Sequence, residues 1–120
     1  MSISDTWTYL YSNNPKIQAF AVSEDSKIIW QTDNWNLVGD IETIVETCAI
    51  GGPSVTISGV AYKTIHSTED SYYASSDDKG HFLMVRVEKQ TNSWLLAWTL
   101  PDSIPDLTLI DLKYACKKMA

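Results

Sequence analysis

The chain has 120 residues, which suits one domain and leaves little room for a second. Apolar residues make up 44% and charged residues 20%, the balance of a chain that buries one core, and five Trp and six Tyr add large contact areas. The net charge of −6, from 9 Lys and Arg against 15 Asp and Glu, argues against nucleic-acid binding, which needs a basic face, and leaves no polybasic segment for an anionic membrane.

The elements follow in chain order. Ser4 or Asp5 is expected to cap a first helix, because a short side-chain oxygen can accept the free N–H groups of its first turn. Ile3, Trp7, Leu10 and Tyr11 then share one helical face, and Asn13, Asn14 and Pro15 end it. Residues 17–22 are apolar on both alternating faces, which suits a central strand. Ser23-Glu24-Asp25-Ser26 reads as a turn and 27–31 as the returning strand. Leu37, Ile41, Ile44, Val45 and Cys48 recur at three- and four-residue steps, which predicts a second helix capped from the loop at 33–36. Gly51-Gly52-Pro53 stops it.

The remainder reads as a meander of strands at 55–57, 60–66, 71–75, 81–88 and 94–100. The breaks fall at Gly59, Thr68-Glu69-Asp70, Asp77-Asp78-Lys79-Gly80 and Gln90-Thr91-Asn92, all rich in turn formers. A last helix is expected from Asp106 to Met119 after Pro101, Asp102, Ser103 and Pro105. The fold class is therefore α+β: a central antiparallel sheet of about six or seven strands, flanked by N-terminal, middle and C-terminal helices, in a single domain over 1–120.

Cys48 and Cys116 each lie in an apolar stretch without a CxxC, as buried thiols in a reducing compartment would. The opening residues have neither the basic nor the apolar region of a signal peptide, and no run approaches the roughly 20 apolar residues of a membrane span. The expectation is a cytoplasmic protein that does not insert into membranes.

Two faces carry more apolar surface than one core needs. On the last helix, Leu109, Leu112, Ala115, Cys116 and Met119 form the natural core arc, while Leu107, Ile110 and Tyr114 form a second. In the 81–88 strand, Leu83, Val85 and Val87 alternate inward, which turns Phe82, Met84 and Arg86 to the other side. A covering loop or a second helix layer would explain these arcs, as would a partner surface, since Phe and Met beside Arg are enriched in interfaces.

Catalytic and metal chemistry find no constellation. His66 and His81 have no second ligand at metal spacing, and there is no GxSxG elbow and no phosphate loop. Glu69-Asp70 and Asp77-Asp78 sit on turns without the further oxygen ligands that calcium requires. The expectation is no enzyme, no metal and no cofactor.

Several segments resemble profilins in order along nearly the whole chain. Asp5-Thr6-Trp7-Thr8-Tyr9-Leu10 resembles the family's N-terminal helix. Ala19-Phe20-Ala21-Val22 followed by Ile28-Ile29-Trp30 resembles its hairpin, and Gly59-Val60-Ala61-Tyr62-Lys63-Thr64-Ile65 the strand after the middle helix. Phe82-Leu83-Met84-Val85-Arg86-Val87-Glu88-Lys89 and Trp94-Leu95-Leu96-Ala97-Trp98 resemble the last two strands, and Pro105 opens a counterpart of the C-terminal helix. The sequence is more similar to profilins of Asgard archaea than to those of animals or plants.

The resemblance implies a monomeric, cytoskeleton-associated protein that binds actin monomers through its later strands and last helix. The family's actin-facing positions fall, within a residue or two of register, on His66, Lys79, Phe82, Met84, Ile104, Asp106 and Tyr114, with Arg86 and Ile110 on the same expected faces. It also implies a polyproline platform at Trp7 and Trp30, although the family's carboxy-terminal aromatic has no counterpart before Ala120, which argues against a proline-rich partner. The excess of acid over base weakens the family's phosphoinositide binding here. Two other assignments fit the element order: a roadblock-type dimer that scaffolds or regulates a small GTPase, disfavoured by the single apolar stripe of the middle helix, and a ligand-sensing domain of the PAS kind.

Overall fold

The computed structural model describes residues 2–87 and 92–119, with backbone alone at 118 and 119. The expected strand end at Glu88, the turn residues Gln90 and Thr91 and the side chain of Met119 lie outside the described residues.

Helix α1 spans Ile3–Asn13, and its N-cap is Ser2 rather than Ser4 or Asp5: the Ser2 hydroxyl oxygen accepts the Asp5 N–H at 3.1 Å. Strands β1 (Ile17–Glu24) and β2 (Lys27–Gln31) form a hairpin whose turn residues, Asp25 and Ser26, both have positive φ, as a two-residue turn of this hand requires. Helix α2 spans Ile41–Ile50 and closes on Gly51 in the left-handed region at φ 64°. It starts later than the periodicity predicted. Leu37 is buried ahead of it, where its N–H donates to the Gln31 side chain at 3.0 Å, so it belongs to the core without belonging to the helix.

The meander runs β3 (Ser54–Ile57), β4 (Val60–Ser67), β5 (Ser71–Ser76), β6 (Gly80–Arg86) and β7 (Ser93–Thr99), and helix α3 (Pro105–Met119) ends the chain. All seven strands form one antiparallel sheet in the order β2-β1-β7-β6-β5-β4-β3. The pair β1–β7 joins the first strand to the last, and both terminal helices pack on one side of the sheet.

The sheet has two buried faces. Leu10 of α1 and Leu109, Leu112, Ala115 and Cys116 of α3 pack with Phe20, Leu83, Val85 and Leu95 on one. Ile41, Ile44 and Cys48 of α2 pack with Tyr72, Phe82, Met84 and Leu96 on the other. A strand buried on both sides loses the apolar–polar alternation, which is why β6 and β7 read as continuous apolar runs. Among the described residues, no helix is long and apolar enough to cross a membrane.

Candidate functional site

The two faces are not covered equally. Val55 and Ile57 of β3 and Tyr62 of β4 are buried against α2, but neither strand gives a residue to the core beneath α1 and α3. The α3 side of β3, β4 and the flank of β5 is therefore open, and it carries Thr56, Ala61 and Lys63 in the register Ser54↔Lys63 and Thr56↔Ala61.

A β-bulge shapes this open face. Thr64 pairs with Ala74 and His66 with Tyr73, which leaves Ile65 as the extra residue, 54% exposed. The bulge changes the phase of the strand. Before it, Thr64 points to the α2 side, where its hydroxyl meets the Tyr72 hydroxyl at 2.6 Å. After it, His66 lies on the open side, stacked on Tyr73 with ring centroids 5.6 Å apart and planes 18° from parallel. The His66 Nε2 is held 2.9 Å from the Ser71 hydroxyl.

Tyr73 connects this face to α3. The Tyr73 hydroxyl is pushed above its ordinary pKa by partial burial first, then by the Asp106 charge and a hydrogen bond to that carboxylate. It therefore stays a neutral donor, and Asp106 accepts. Further along, the Nε2 of His81 lies 3.1 Å from the Pro101 carbonyl, which can only accept, so Nε2 carries a proton. In the neutral ring Nδ1 then accepts from the Ser75 hydroxyl at 2.6 Å. The polar side chains of the strands are thus tied to the entry of α3, which makes the face a fixed surface.

The expected actin-facing residues divide. His66 and Asp106 meet across Tyr73 as described, and Ile104, Ile110 and Tyr114 are exposed, as is Lys79 on the β5–β6 turn. Tyr114 packs on Tyr9 of α1, ring centroids 6.0 Å apart, and the exposed arc of α3 continues through Leu107.

Phe82 and Met84 correct the expectation: both are 0% exposed beneath α2. The second helix layer covers their face of β6, so Phe82 and Met84 do not reach solvent beside the exposed arc of α3. Arg86 shares the α2 side, where its guanidinium sits 4.7 Å above the Trp94 ring and its Nε donates to the Glu69 carbonyl at 3.0 Å. It is separated by the sheet from the face that carries His66.

Trp7 and Trp30 both pack on Phe20, with centroids 5.9 Å away in each case, and Tyr11 lies 5.4 Å from Trp7. Sequence reasoning missed Ile65, Tyr73 and Ser75. Tyr72-Tyr73 within a strand signals one aromatic on each face, but the bulge beside it leaves no mark in the residue pattern.

No family model matches the sequence. The chain is 29% identical to Thor profilin of Thorarchaeota archaeon (strain AB_25), over 98% of this chain and 94% of that protein. Its fold superposes on a Loki profilin 2 solved in complex with rabbit actin with a TM-score of 0.88 at 28% identity, covering 99% of this chain and 97% of that one. A Loki profilin 1 crystal structure gives a TM-score of 0.88 at 25% identity, again covering 99% of this chain and 97% of that one. In sequence and in fold the chain is similar to divergent profilins, those of Asgard archaea among them. A roadblock/LC7 domain from Streptomyces avermitilis superposes with a TM-score of 0.63 at 11% identity over 98% of each chain, which shows shared architecture alone. Among the described residues the chain has three helices and seven strands, and the β3–β5 face beside α3 is open outside the two cores.

Proposed function

We propose that this protein binds the actin monomer through the open face of β4 and β5 and the exposed arc of α3. The observation that carries the reading is the full-length match, at a TM-score of 0.88, to a profilin solved with actin. The surface chemistry supports it. Ile65, Ile104 and Ile110 offer apolar contact, while His66, Lys79 and Asp106 offer polar contact around it. Such a mixture of a water-excluding centre and a polar rim suits an interface that forms and dissociates.

The action is steric, with no catalytic step. A monomer with one face covered cannot add subunits there, so nucleation slows. If one nucleotide state of actin is bound better than another, the population shifts towards that state. The protein acts as a monomer in the cytoplasm, associated with the cytoskeleton. The test is spontaneous assembly of rabbit actin followed by fluorescence. The wild type lengthens the lag in proportion to its concentration, and Ile110→Glu at equal concentration restores the lag of actin alone. Unchanged kinetics at saturating wild type would overturn the proposal.

A further inference from the structure

The α2 side of the sheet carries a second surface with different chemistry. Residues 28–62 contain Asp33, Asp40, Glu42 and Glu46 and no lysine or arginine. On α2, Glu42 and Glu46 stand one turn apart, and the same stripe continues to Ala49. Ala49 lines a cavity of about 490 Å³ together with Val45, Cys48, Ile50 and Trp94. Its opposite wall is the β4–β5 turn with Glu69. Arg86 also lines it, with its guanidinium over the Trp94 ring and its Nε donating to the Glu69 carbonyl, so this cation is a part of the wall. Ile50 stands at the rim and is 77% exposed.

We propose that this cavity docks a lysine- or arginine-rich segment of another protein, which inserts one bulky apolar side chain between α2 and Trp94 and sets its cations against Glu42, Glu46 and Glu69. Charge complementarity selects this occupant. Glu69 lines the cavity, Glu42 and Glu46 share by helical spacing the side of α2 that carries Ala49, and the carbonyl end of the helix adds partial negative charge, with no basic residue in its last turn to offset it. The cavity volume falls within the range of binding pockets, and its floor is apolar. A second copy of this chain fits poorly, because pairing through α2 would set Glu42 and Glu46 of one copy against Glu42 and Glu46 of the other. The site is on the sheet face away from the one proposed for actin and stands independently of that reading.

The test is a titration of the isotope-labelled full chain, followed by amide shifts, with the peptide Lys-Lys-Trp-Lys-Lys. Two controls accompany it, Lys-Lys-Ala-Lys-Lys and Glu-Glu-Trp-Glu-Glu. The expected result is saturable movement at Val45, Ile50, Glu69 and Trp94 with the first peptide, weaker by about tenfold for either control or for the Glu42→Lys/Glu46→Lys variant. Ala49→Trp, which fills the cavity from its own wall, gives the same loss while circular dichroism is unchanged. Four outcomes overturn the proposal: no saturable movement, movement centred on α3, equal affinity for the acidic peptide, or a dimer in sedimentation that Ile50→Glu dissolves.

Discussion

The imidazole of His66 is stacked on the ring of Tyr73, 5.6 Å between centroids, and the Tyr73 hydroxyl feels the charge of Asp106 at the start of α3. A strand and a helix far apart in sequence are thereby joined at the centre of the proposed actin surface. Tyr73→Ala removes the middle of that chain. The expected outcome is a loss of about 1–2 kcal/mol in actin affinity, about five- to thirtyfold in Kd, as for a central aromatic contact. Sedimentation or fluorescence titration with monomeric actin measures it, and a melting curve checks that the fold is retained.

Phe82 and Met84 belong to the core beneath α2, not to the partner surface. Phe82→Ala should cost about 3–5 kcal/mol and Met84→Ala about 2–5 kcal/mol of folding stability, through lost transfer energy and the cavity left behind. Urea unfolding of the two variants measures this. A variant at either position that loses actin binding at unchanged stability would contradict the burial described here.

On α3 the opposite pattern is expected. Ile110 is exposed, and Tyr114, half exposed, packs its ring on Tyr9. Tyr114→Ala should cost about 0.5–1.5 kcal/mol of stability, the usual range for an aromatic pair. Ile110→Glu should leave the urea midpoint almost unmoved while weakening actin binding. Parallel unfolding and binding curves separate the two effects.

How much of this was legible beforehand depends on which signal each residue leaves. The element order was readable because apolar spacing and turn formers mark it: Gly51 ends α2, and both terminal helices were expected where they occur. The exposed arc of Leu107, Ile110 and Tyr114 was readable because a helix shows its two sides directly in the spacing. Phe82 and Met84 misled because alternation separates two faces without saying which is wet; α2 lies more than thirty residues earlier, and only the fold reveals that it covers them. His66 lies on the open face stacked on Tyr73, a partner that the residue pattern did not reveal. The bulge at Ile65 resets the phase of β4 by one residue, and no composition rule marks that step. Leu37 kept the helical spacing of α2 while lying outside it, since a buried turn residue and a helical core residue satisfy the same pattern.

The two thiols give a prediction about alkaline stability. Burial pushes Cys48 and Cys116 from the ordinary value of 9.0 up to about 12. The unfolded chain therefore releases these protons at a lower pH than the folded one. Below pH 9 both states hold the protons and stability is unaffected. Between about 9 and 12 the unfolded state binds fewer, so stability falls as pH rises, by up to about 1.4 kcal/mol per pH unit for each thiol. Burial of the Tyr62 and Tyr72 hydroxyls, raised in the same direction, adds to the slope. Urea unfolding at pH 8 and pH 10 measures the difference. Cys48→Ala and Cys116→Ala should each flatten the alkaline loss, whatever they cost at neutral pH. Iodoacetamide should label neither thiol of the folded chain at pH 8 within the time that labels both in urea, because the neutral, covered sulfur is a poor nucleophile. Rapid native labelling of either cysteine would show that the core over it opens readily, and a flat profile between pH 8 and 10 would show that the thiols are not shielded in the way that both cores require.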